Sequence, residues 1–117
     1  MSLNRLIEKT LKDLNCPVRF GEYRPAANEE PAKIYYTYNF TTLGDAFSDN
    51  APGIDRHLIQ LHLFFPITHN AISQIKMTKK ALFGAGFSYP KTVKGSDANG
   101  GHIIFECEYL EVLDGVF

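Results

Sequence analysis

The stretch Lys33-Ile34-Tyr35-Tyr36-Thr37-Tyr38-Asn39-Phe40-Thr41 decides the fold, together with Arg56-His57-Leu58-Ile59-Gln60-Leu61-His62-Leu63-Phe64-Phe65. Side chains alternate across a strand, so Ile34, Tyr36, Tyr38 and Phe40 share one face and Tyr35, Thr37 and Asn39 the other. In the second run Ile59, Leu61, Leu63 and Phe65 stand opposite Leu58, Gln60, His62 and Phe64. Each run therefore makes a long strand with one strongly apolar face, and that face needs a cover.

The flanking sequence supplies it. Leu3, Leu6, Ile7, Leu11 and Leu14 recur at helical spacing among Asn4, Glu8, Lys9, Lys12 and Asp13, which predicts an amphipathic helix. Asn15-Cys16-Pro17 ends it, because proline pushes the residue before it out of the α region. Val18 to Tyr23 reads as a short strand and Arg24 to Pro31 as a loop. Thr42 to Asp55, rich in Gly, Asp, Asn, Ser and Pro, reads as a long loop. After Pro66, Thr68 is the expected N-cap of a second helix from about His69 to Phe83, with Ile72, Ile75, Leu82 and Phe83 as its buried stripe. Phe87 to Val93 and His102 to Leu113 read as further strands, joined through the turn-rich Lys94 to Gly101. The expectation is a single α+β domain over residues 1–117, with two helices packed on one face of a mostly antiparallel sheet of four to five strands.

Composition narrows the function classes. The chain has 44% hydrophobic and 21% charged residues, enough apolar material for a core without disulfide or metal staples. Its 12 basic and 13 acidic side chains give a formal charge of −1, without the basic surplus that phosphate neutralisation demands of a nucleic-acid binder. Cys16 and Cys107 stand far apart with no motif around them. Free thiols in a reducing compartment are the plain reading, and one disulfide stays open. No apolar run reaches the roughly 20 residues of a membrane helix, and no signal peptide opens the chain, so no membrane role is expected.

Catalytic chemistry finds little footing. His57 and His62 lie five residues apart on one strand and point to opposite faces. Without a Cys or carboxylate at ligand spacing, the four histidines are expected to be ordinary surface or half-buried side chains, and no metal or cofactor is expected. Cys107 lies between Glu106 and Glu108, which disfavours a thiolate. Glu106 and Glu108 share a strand face, and a solvated outer face explains them more simply than a catalytic pair. Gly95 to Gly101 lacks the Lys-Ser/Thr and the following helix of a phosphate loop.

Charge placement is more informative. Lys76, Lys79, Lys80, Lys91 and Lys94 form a positive block, followed by a negative one of Asp97, Glu106, Glu108, Glu111 and Asp114. The blocks either pair internally or form two complementary patches on opposite sides of the domain, which suits a head-to-tail contact that closes into a ring. Most of the Phe and Tyr residues alternate into the core. Tyr35, Phe47 and Phe117 are the exceptions and are candidates for partner contact.

Several stretches together resemble the small tail-terminator and head-to-tail completion proteins of long-tailed phages and prophages. They are Leu14-Asn15-Cys16-Pro17-Val18, Gly21-Glu22-Tyr23, Pro31-Ala32-Lys33-Ile34-Tyr35-Tyr36-Thr37-Tyr38, the strand from Asp55 to Phe65, and Gly101-His102-Ile103-Ile104-Phe105-Glu106-Cys107-Glu108-Tyr109. The likeness covers nearly the whole chain in element order, through strand and turn patterns rather than a chemical signature. In the central strand, His57-Leu58-Ile59-Gln60-Leu61-His62 replaces the family's aromatic-acid pattern. The resemblance implies a non-catalytic structural subunit that forms a ring, typically a hexamer, and joins the tail tube to head-completion proteins. It implies a place in the virion tail, reached from the bacterial cytoplasm during assembly, with nucleic acid met only as it passes through the ring lumen. It also implies a contact role for Gly44 to Asp55. The expected contact residues are thus Asp45, Phe47, Asp49, Asp55, Lys76, Lys79, Lys80, Glu106, Glu108 and Phe117. The competing expectations are a small-ligand or peptide-binding module using Tyr35, Gln60, His62 and Glu106, and an enzyme built on His62, Glu106 and Glu108.

Overall fold

The computed structural model describes residues 2–45, 53–95 and 100–112. In chain order these form helix α1 (Leu3–Thr10), a 3-10 turn (Lys12–Leu14), and strands β1 (Val18–Phe20), β2 (Tyr35–Asp45) and β3 (Ile54–Pro66). Helix α2 (Ile72–Gly84) and strands β4 (Lys91–Lys94) and β5 (Gly100–Val112) follow. The sheet order is β1-β2-β3-β5-β4, parallel only between β1 and β2. The α+β architecture is the one expected.

The alternation sets the core. Tyr36 and Tyr38 from β2, Ile59, Leu61 and Leu63 from β3, and Phe105 and Cys107 from β5 are buried on the helix side with Ile7, Leu11 and Leu82. Ser2 caps α1, its Oγ accepting from the Arg5 N–H at 3.2 Å. Asn15 ends the following 3-10 turn in the left-handed region at φ 58°, which Asn tolerates better than most residues. The Tyr38 hydroxyl donates to Glu8 Oε2 at 2.7 Å and ties α1 to β2.

The second helix departs from expectation in two ways. It begins at Ile72 rather than His69: Asn70 Oδ1, not Thr68, accepts the Ile72 N–H at 3.1 Å. Its buried residues are Thr78 and Leu82, whereas Ile72 and Phe83 are 61% and 59% exposed. The rotation is fixed by a polar network. Thr78 Oγ1 donates to the Gln74 carbonyl at 2.7 Å, so the Tyr36 hydroxyl must donate to Thr78, 2.8 Å away, and it accepts from Gln74 Nε2 at 3.0 Å. Every hydroxyl in it is satisfied, the condition under which buried polar groups stabilise.

Four strand limits also move. The loop expected over Thr42 to Asp55 is shorter, because β2 runs to Asp45 and β3 starts at Ile54; Thr42, Leu43 and Gly44 pair with His57, Arg56 and Asp55. The strand expected from Val18 to Tyr23 stops at Phe20, before Gly21 at φ 78°. The strand expected from Phe87 starts at Lys91, after the fully buried Pro90, which has no N–H for a ladder.

Candidate functional site

The expected contact residues separate onto distinct surfaces. Lys76, Lys79 and Lys80 lie on α2, above the helix side of the sheet. Among the described residues none of them forms an ion pair, and Lys79 Nζ sits 5.7 Å from the centre of the Tyr89 ring. Around them α2 exposes Ile72, Met77 and Phe83, the last edge-on to Tyr89 at 5.7 Å.

Glu106 and Glu108 lie on the opposite face of the sheet. Gln60 Nε2 donates to Glu106 Oε2 at 3.5 Å, and Arg56 Nε is 3.7 Å from Glu108 Oε1. Exposed Leu43, Leu58, Leu110 and Val112 belong to the same face. Lys76, Lys79 and Lys80 therefore stand across the sheet from Glu106 and Glu108, each set among exposed apolar side chains. The blocks as a whole do not separate: Lys91 is the cross-strand partner of Glu106 on the same face, Glu111 lies on the helix side with Asp55, and Asp97 and Asp114 lie outside the described residues.

The remaining expected residues fall elsewhere. Asp45 closes β2, and Phe47, Asp49 and Phe117 lie outside the described residues. The arm formed by the far ends of β2, β3 and β5 has open edges among the described residues: β1 pairs with β2 only over Tyr36–Tyr38, and β4 with β5 only over Ile103–Glu106.

Nearer the other end, the uncovered face carries a row of rings. Tyr23, Tyr35, Phe64 and His102 follow one another at centroid spacings of 4.6, 5.0 and 4.3 Å. His62 Nδ1 is 2.8 Å from His102 Nε2. Burial, and then the neighbouring His102, hold the His62 pKa below its ordinary value. His62, Glu106 and Glu108 are not drawn into one cluster: their hydrogen-bond or ion partners are His102, Gln60 and Arg56 respectively. The Tyr35, Gln60, His62 and Glu106 set is likewise spread along this face.

Both cysteines are free. Burial raises the Cys16 thiol, and burial with the Glu108 charge pushes Cys107 up to about 12, so neither is set up as a thiolate nucleophile.

One cluster escaped the sequence reading. Asp55, His57 and Glu111 place a carboxylate oxygen, a ring nitrogen and a carboxylate oxygen within 4.8 Å of one another. His57 is 6% exposed, deeper than the surface or half-buried position expected of it. Its Nε2 is 2.9 Å from Glu111 Oε1, and its Nδ1 is 2.7 Å from Thr42 Oγ1. The Phe40 and Tyr109 rings flank it at 6.1 and 6.3 Å. The signal available was Asp55-Arg56-His57, a carboxylate and an imidazole two apart and so on one strand face. Glu111 enters only through the β3–β5 register, which sets it opposite Asp55.

Neither a family model nor a curated protein matches the chain. No helix among the described residues is long and apolar enough to cross a membrane.

Proposed function

We propose that the protein is a structural subunit of a phage or prophage tail, self-assembling head-to-tail into a tail-terminator or head–tail joining ring. The observation that carries this reading is the pair of opposed surfaces. The lysines of α2 form no ion pairs among the described residues, and Glu106 and Glu108 stand on the far side of the sheet. A second copy can set the Glu106 and Glu108 edge of its sheet face, where Arg56 and Lys91 also lie, against the basic helix of the first, and each contact leaves the next pair of surfaces exposed. Such heterologous contacts close into rings when the rotation allows. The apolar side chains on both surfaces supply area to bury, and the charges fix register and orientation.

The deciding measurement is mass in solution by light scattering on a size-exclusion column, at low and high salt. The expected result is an assembly of about six subunits that loosens as salt screens the contact. A strict monomer at every concentration and salt overturns self-assembly through these faces.

A further inference from the structure

We propose that Asp55, His57 and Glu111 form a binding site for one divalent transition-metal ion of the zinc type, held within a single subunit. The inference is independent of the assembly reading, because all three ligands come from one chain.

The donor set comes first. One imidazole nitrogen and two carboxylate oxygens are ligands that zinc takes in open sites, leaving a fourth position for water. Magnesium prefers an octahedral shell of oxygens and is poorly served by an imidazole. The three ligand atoms already lie within 4.8 Å of one another. A tetrahedral ion with bonds of about 2.0–2.1 Å needs ligand atoms about 3.3 Å apart. His57 Nε2 and Glu111 Oε1, now 2.9 Å apart, therefore have to separate by only a few tenths of an ångström.

The surroundings fit as well. A ligating histidine ordinarily donates its second ring N–H to a fixed acceptor, which sets the tautomer and the ring orientation. Thr42, opposite His57 in the β2–β3 register, offers that acceptor to Nδ1 at 2.7 Å and leaves the Nε2 lone pair for an ion. Phe40 and Tyr109 hold the ring between them. Glu111, its side chain 45% exposed, leaves a path from solvent.

Charge gives the reason an ion belongs there. Asp55 and Glu111 are direct cross-strand neighbours, and like charges in that arrangement destabilise a sheet. Asp55 has no hydrogen bond or ion pair among the described residues. The strand's own cation, Arg56, is directed to the opposite face, where its Nε meets Glu108. A divalent ion neutralises both carboxylates and clasps β3 to β5, with Thr42 adding β2.

The test is calorimetric titration of the metal-stripped full chain with zinc chloride, repeated with cobalt(II) to read coordination from its visible absorption. The expected result is one ion per chain, a cobalt spectrum of a four- or five-coordinate site, and a higher melting temperature with zinc. Asp55→Asn and Glu111→Gln, nearly isosteric with the native residues, should abolish the binding while leaving the circular dichroism unchanged. Thr42→Val, which acts through His57, should weaken it by about 10- to 100-fold. The proposal is overturned by an absence of saturable zinc binding, or by binding that survives Asp55→Asn and Glu111→Gln. It is equally overturned if binding is lost in His62→Gln or His102→Gln instead, or if magnesium competes on equal terms.

Discussion

At the residue scale, the contact between α2 and the sheet depends on a few polar atoms. Thr78 and Tyr36 are both fully buried, and each hydroxyl is the other's partner. Replacing Thr78 with valine keeps the volume but leaves the Tyr36 hydroxyl without an acceptor, at a cost of about 1–3 kcal/mol. Urea unfolding at constant m-value measures this loss. Adding Tyr36→Phe should return part of it, since no orphaned hydroxyl then remains; a double variant as unstable as the sum of the singles contradicts the network. Cys107 gives a prediction of opposite kind. Its folded-state pKa of about 12 lies above the ordinary 9.0, so the fold favours the neutral thiol. That contribution is complete below pH 9 and disappears as pH rises toward 12. The stability advantage of the native chain over Cys107→Ala should therefore shrink between pH 9 and 12. Tyr36 and Tyr38, also raised by burial, weaken both proteins alike over the same alkaline range.

At the element scale, α1 is eight residues long, too short to persist alone in water, and is held by what it buries. Leu11, at its C-terminal cap, is fully buried in the core. Leu11→Ala should cost about 2–5 kcal/mol, read in the same unfolding experiment. Amide exchange in α1 should rise with it, if the helix depends on the core rather than on its own propensity. The elements differ in how plainly their sequences announce them. Strands β2, β3 and β5 are legible because a period of two over ten or so residues leaves no competing helical pattern. The stripe of α1 is equally clear. Helix α2 was legible in existence but not in rotation: Ile72 and Phe83 satisfy the apolar spacing, while the face that is buried carries a threonine. No hydropathy pattern assigns Thr78 to a core; only Tyr36, 42 positions away, makes that burial favourable. The Asp55, His57 and Glu111 cluster was hidden for a related reason. Two of its members are visible as an alternating pair, but the third depends on a register that closes 54 positions away from His57.

At the scale of the whole molecule, the long axis is 52 Å against 30 and 25 Å across, and Lys76, Lys79 and Lys80 face away from Glu106 and Glu108 through the sheet. Internal pairing and pairing between copies make opposite predictions for charge reversal. A chain carrying Lys76→Glu, Lys79→Glu and Lys80→Glu presents contact glutamates on both surfaces, and one carrying Glu106→Lys and Glu108→Lys presents contact lysines on both. If the blocks meet between subunits, each variant alone repels its own copies and stays monomeric. Mixed in equal amounts, they should assemble again, because every helix bearing glutamates then meets lysines at positions 106 and 108, and every native basic helix meets Glu106 and Glu108. The restored ring has to alternate the two variants, so it closes without a mismatched contact only when its subunit number is even. Light scattering on the mixture therefore tests the contact and the parity together. A six-membered ring returns at its full mass, whereas a ring with an odd native number returns with one subunit more or fewer, or stays open. Assembly of either variant alone at the native size removes the charged faces from the contact.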